Sequence, residues 1–157
     1  MFRMLRRILI LTEETVIIIL SIGILVTVFY GVLVRYLPIT GTQMAWTQEV
    51  SELFLVWYAF LAIAIVHRQS AHFNLDFIFK RLRGYLKLLV IIFVHILSLI
   101  FLIFIALNAI SLIINTAGDV SNILRFPMLL FPLALFISCC LMIVYTCHNI
   151  IRSFKKS

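Results

Sequence analysis

The chain has 157 residues, 64% of them hydrophobic and only 12% charged, with a formal net charge of +7. Soluble domains hold roughly 45–50% apolar residues, and one of this length could not cover so much apolar surface, so a water-soluble globule is excluded. The basic excess does not point to nucleic acid: Lys and Arg fall in short runs beside apolar stretches, the placement that inner-membrane topology requires.

Four apolar stretches, 15–34, 50–66, 88–114 and 128–151, account for most of the chain. A hydrocarbon core about 30 Å thick needs about 20 helical residues at about 1.5 Å each. Backbone polar groups in lipid must be satisfied within the segment, so helices are expected. The chain is therefore read as an all-α integral membrane protein, a single transmembrane domain over 1–157 with four spanning helices.

Residues 1–11 are basic and then apolar, like the opening of a signal peptide. However, Thr12-Glu13-Glu14 interrupts the run, and the next stretch is of spanning length with no small-residue cleavage pattern. An uncleaved first helix with a basic foot is expected. In the first connection, Pro38 disfavours helix at Leu37, Trp46 suits headgroup depth, and Thr47 is a candidate N-cap for the second helix. Glu49 and Glu52 share a face near that positive helix end. Arg35, at the end of the first span, is expected to pair with one of these acids, an interfacial bond of about 1 kcal/mol.

In the second connection, residues 74–82 mix apolar and basic residues at helical spacing, which predicts a short amphipathic helix in the membrane interface. The third span, at 27 residues, exceeds the bilayer requirement and is expected to tilt or project. In the fourth, Pro127 suits a helix start, whereas Pro132 one turn later would leave a backbone acceptor to be satisfied elsewhere. Cys139, Cys140 and Cys147 all lie in this span, an odd number with no metal spacing, and are read as small packing residues.

Charge placement gives the orientation. Arg3, Arg6, Arg7, Arg68, Lys80, Arg81, Arg83, Lys87, Arg152, Lys155 and Lys156 make eleven bases on one side, against Arg35 and Arg125 on the other. Both termini are expected in the cytoplasm, N-in and C-in, in a bacterial inner membrane. The cluster Lys80, Arg81, Arg83 and Lys87 would then face lipid headgroups at the inner interface.

Catalytic chemistry has little to work with. The sequence has no Gly-rich phosphate loop, no H-E-x-x-H and no C-x-x-C, so an enzyme is not expected. The acids sit at span ends, whereas a carboxylate that couples transport to protons belongs near the midplane. Haem would need imidazoles from two helices at matching depth; His95 and His148 could form one such pair, with no second pair on the outer side. For His95 the plainer reading is a helix–helix hydrogen bond.

Several features recur in a specific order. Arg35-Tyr36 ends the first span, Trp46-Thr47-Gln48-Glu49 opens the second, and Phe54-Leu55-Val56-Trp57 follows, with Trp57 eleven residues after Trp46. His72-x-x-x-Asp76 comes just after the second span, and Phe126-Pro127-Met128 precedes the fourth. With four spans this resembles the small membrane (Q, DctQ-type) subunit of tripartite ATP-independent periplasmic (TRAP) transporters. Gln48 stands where many members carry a second acid.

The resemblance implies a sodium-driven secondary transporter for organic acids: dicarboxylates, sialic acid or other sugar and keto acids. A periplasmic binding protein would deliver the substrate, a large multi-span membrane subunit would carry it and bind the sodium, and the small subunit would brace the large one. No cofactor is expected on this chain. Candidate partner-docking residues at the outer rim are Arg35, Trp46, Glu49, Glu52 and Trp57; candidate inner-interface residues are His72, Asp76, Lys80, Arg81, Arg83 and Lys87. Two alternatives stand beside this reading: a four-helix cytochrome-type membrane anchor, separable by a Soret band, and a stand-alone small four-helix transporter, separable by function without a partner.

Overall fold

The computed structural model describes residues 2–36, 45–70 and 85–155, and their side chains over 11–36, 45–69, 89–90, 92–147 and 149–150. Within these the apolar stretches fold as α1 (Phe2–Tyr36), α2 (Ala45–Ser70), α3 (Tyr85–Thr116) and α4 (Leu130–Lys155). Each holds a window long and apolar enough to cross a bilayer: Leu11–Tyr36, Ala45–Gln69, Ile92–Thr116 and Leu130–Cys147. The expected all-α membrane architecture is thus present. The first three helices overrun their expected spans at both ends, since helical hydrogen bonding does not stop where hydropathy does. Helix α1 passes through Thr12-Glu13-Glu14 without a break.

Pro132 causes no orphaned acceptor, contrary to expectation. Helix α4 begins at Leu130 rather than at Pro127, so Pro132 is its third residue, in the first turn where the N–H has no intrahelical partner to lose. Pro127 instead forms an isolated antiparallel bridge with Val120. The Ser121 and Met128 amides donate to Phe126 and Asp119 carbonyls at 2.9 and 3.0 Å, so the α3–α4 connection is a small hairpin. The interfacial helix expected over 74–82, with His72, Asp76, Lys80, Arg81 and Arg83, lies outside the described residues. So does the Lys87 side chain.

Helix α1 packs on α2, α2 on α4, and α4 on α3. The central pair is therefore α2 and α4, with α1 and α3 on the flanks. Lipid tails are as apolar as leucine, so close contact rather than water exclusion holds such helices together, and small residues permit it. Between α1 and α2, a Cβ on Gly23 would fall 2.9 Å from Phe54 Cε2, and one on Gly31 would fall 3.0 Å from Thr47 Oγ1. Thr27, midway between these glycines, turns its hydroxyl back to the Gly23 carbonyl at 2.8 Å. The buried core where α2, α3 and α4 meet is Ala64, Leu102, Ala106, Cys139 and Met142. All three cysteines are free, and Cys139 packs there as a small apolar residue.

Candidate functional site: two polar poles

The acidic side chains and the groups they bond gather at the two ends of the bundle. At the first pole, Glu13 on α1 is 7% exposed. The Arg68 guanidinium at the end of α2 donates to it, Nη1 to Oε2 at 3.0 Å, and reaches the more exposed Glu14, Nη2 to Oε1 at 3.3 Å. The Tyr145 hydroxyl on α4 donates to the other Glu13 oxygen, and Arg68 lies 6.0 Å from the centroid of the Tyr145 ring. One carboxylate thus ties three helices together. Beside this cluster, from the residues adjoining Arg68 and Tyr145, His67 Nε2 lies 2.8 Å from Thr146 Oγ1. The Thr146 hydroxyl proton goes to the Met142 carbonyl at 2.8 Å, so the imidazole is the donor in that contact.

At the second pole, the Glu49 carboxylate on α2 holds the α3–α4 hairpin. It accepts the Ser121 hydroxyl and the backbone amides of Ile123 at 3.1 Å and Leu124 at 3.0 Å. Charge-assisted bonds of this kind are stronger than neutral ones. Arg125, next in the turn, has a φ of 52°, the left-handed region that a bulky residue enters at a cost. Trp46 stacks at a tilt on Tyr30 of α1, with centroids 5.9 Å apart. Gln48 donates to Glu52 one turn on, at 3.0 Å.

The expected Arg35 pair is not formed. Among the described residues the ion pairs are those of Arg68 with Glu13 and Glu14. Arg35 is exposed, Glu49 is turned to the hairpin, and Glu52 is engaged by Gln48. The physical reason is competition: two backbone amides and a hydroxyl fixed in one turn outbid a long, solvated side chain that must be immobilised to pair. Thr47 also differs from expectation. It lies inside α2, which starts at Ala45, and is buried under Gly31. The structure therefore brings Trp46, Glu49 and Glu52 to one pole with Arg35, while Trp57 sits half-buried further down α2.

Sequence reasoning missed the first pole. Glu13 and Glu14 read only as acids at a span end, and Arg68 only as one of the eleven bases on one side. In the folded spans Leu11–Tyr36, Ala45–Gln69 and Leu130–Cys147, Glu13, Arg68 and Tyr145 lie within two residues of the span end at this pole, a match hidden in the sequence because the fourth span was expected to run on to 151. Chemically, both poles are braces. Glu13 and Glu49 are committed to joining elements of this chain, whereas Glu52 bonds only within α2, and no group of three or more His, Cys, Asp or Glu able to hold a metal ion occurs among the described residues.

Comparison with curated proteins finds no significant match. A family does match: residues 24–156 fit the description "Tripartite ATP-independent periplasmic transporters, DctQ component", which takes in all of α2, α3 and α4 and the last third of α1. This multi-pass membrane protein belongs to the DctQ family, the small membrane components of TRAP transporters.

Proposed function

We propose that the chain is the static small subunit of a sodium-driven TRAP transporter, bracing the larger membrane subunit in a bacterial inner membrane. The periplasmic binding protein delivers an organic acid: a dicarboxylate, sialic acid, or another sugar or keto acid. The larger subunit carries it and binds the sodium; this chain is no enzyme and holds no cofactor. The observation that carries the reading is the family match over 24–156. The two poles support it. A membrane site for an anion and a cation needs broken helices with polar groups near the midplane, whereas the described helices run unbroken and Glu13 and Glu49 lock neighbours in place.

Eleven bases against two favour cytoplasmic termini. The Glu49 pole then faces the periplasm, and Arg35, Trp46 and Glu52 form a rim that receives the binding protein, while the basic second connection rests on anionic lipid. The test is reconstitution under a sodium gradient. Vesicles with this chain alone accumulate no organic acid; vesicles with the larger subunit and the binding protein do. Accumulation by this chain alone would overturn the reading. Glu52→Lys should reduce uptake with assembly intact, and unchanged uptake would discard the rim as a docking surface.

A further inference from the structure

Helix α3 has two seams. One faces α4, where Leu102, Ala106 and Ala109 are buried. On the opposite side Leu97, Phe101, Phe104, Asn108, Ser111 and Asn115 recur at alternating steps of four and three, and all six are exposed. That spacing keeps them on one face of a helix, the geometry by which one helix seats against another. The apolar members are at home in lipid. The polar members are not.

Asn108 lies four residues, about 6 Å, past the middle of the span Ile92–Thr116, well inside a hydrocarbon layer about 30 Å thick. One of its amide protons goes to the Phe104 carbonyl of its own helix at 2.8 Å. Its Oδ1 accepts from none of the described residues. Ser111 and Asn115 continue the polar line toward the helix end. The other flank differs: between Ile18 and Phe29, the exposed face of α1 carries only the hydroxyl of Ser21 among aliphatic and aromatic residues. Polar side chains at membrane depth turn toward protein, where they hydrogen-bond across helices.

We propose that this α3 seam is the surface on which a transmembrane helix of the larger membrane component docks, with Asn108 bonded to a polar side chain of that helix at the same depth. The inference rests on the subunit role proposed above, and adds which flank meets the partner and which meets lipid. The test is photo-crosslinking in the co-expressed complex, with p-benzoylphenylalanine at Phe104 or, as the opposite-flank control, at Leu25. Phe104 should give an adduct with the larger component, and Leu25 should give lipid adducts only. An adduct from Leu25 with none from Phe104 overturns the α3 assignment while leaving the subunit role intact, as does a Phe104 adduct to a second copy of this chain or to lipid alone. Failure of any larger membrane protein to co-purify with the unsubstituted chain overturns the subunit role, and this inference with it. Asn108→Leu should lower recovery of the larger component about threefold, the order an interhelical hydrogen bond supplies, with the chain's own thermal stability unchanged. Full recovery with Asn108→Leu would remove Asn108 as the bonding centre.

Discussion

Arg68 Nη1 and Glu13 Oε2 stand 3.0 Å apart across α2 and α1, with side chains 12% and 7% exposed. Removing one partner of so enclosed a pair strands the other charge, a loss of about 3 kcal/mol. Arg68→Met or Glu13→Gln should therefore lower the unfolding midpoint in detergent markedly. The double variant should recover part of the loss, because neither charge is then stranded, and a double-mutant cycle measures the coupling. Tyr145→Phe removes only one hydrogen bond to Glu13 and should cost about 1 kcal/mol. Equal effects of all three single changes would mean that the ion pair contributes nothing special.

Glu49 should act on a distant segment. Glu49→Gln keeps the size of the side chain but removes the charge that the Ile123 and Leu124 amides and the Ser121 hydroxyl serve. Hydrogen exchange at those two amides should speed up by about tenfold or more, because a charge-assisted bond is stronger than the neutral one that replaces it. Exchange in the middle of α2 should stay as it was. Ser121→Ala should give a smaller effect in the same place. If the two amides keep their protection in Glu49→Gln, the hairpin is held by its own ladder instead.

These two poles mark where the sequence stopped being legible. The helices were readable because lipid imposes one rule on every spanning residue, and an apolar run of sufficient length obeys it wherever it lies. Pairing follows no such local rule. Glu49 and Ser121 are 72 positions apart, and Glu13 and Tyr145 132. Arg35 looked like the partner of Glu49 because it was near in sequence and opposite in charge. Backbone amides carry no sequence signature, so the turn at Ile123 and Leu124 could not be seen as the stronger competitor. Pro132 misled for a related reason: its effect depends on whether α4 starts two residues earlier or later.

The α1–α2 contact should be sensitive to single methyl groups. A Cβ at Gly23 would lie 2.9 and 3.0 Å from Phe54 Cε2 and Cδ2. Gly23→Ala therefore forces the ring or the helix to move, an overpacking cost of about 1–3 kcal/mol. Phe54→Leu should relieve it, so the double variant should be more stable than Gly23→Ala alone. At Gly31 the close atom is the Thr47 hydroxyl at 3.0 Å, and Gly31→Ala with Thr47→Ser keeps that hydroxyl and tests nothing, whereas Gly31→Val should separate the helix ends outright. Detergent midpoints report each change. A neutral Gly23→Ala would show that Phe54 has room to turn.

Arg125 offers the reverse case, a change expected to stabilise. Its φ of 52° places a long side chain in the left-handed region at the tip of the hairpin, a conformation that costs a non-glycine residue about 1–2 kcal/mol. Glycine adopts it freely, although it also gains freedom in the unfolded chain, which offsets part of the benefit. Arg125→Gly should therefore raise hairpin protection slightly, by about 1 kcal/mol or less, while Arg125→Val, branched at Cβ, should lose more than 1 kcal/mol. The pair of variants separates backbone from charge, since both remove the guanidinium. If Arg125→Gly and Arg125→Val weaken the Ile123 and Leu124 amides equally, the arginine is held there for its charge, and the backbone conformation is incidental.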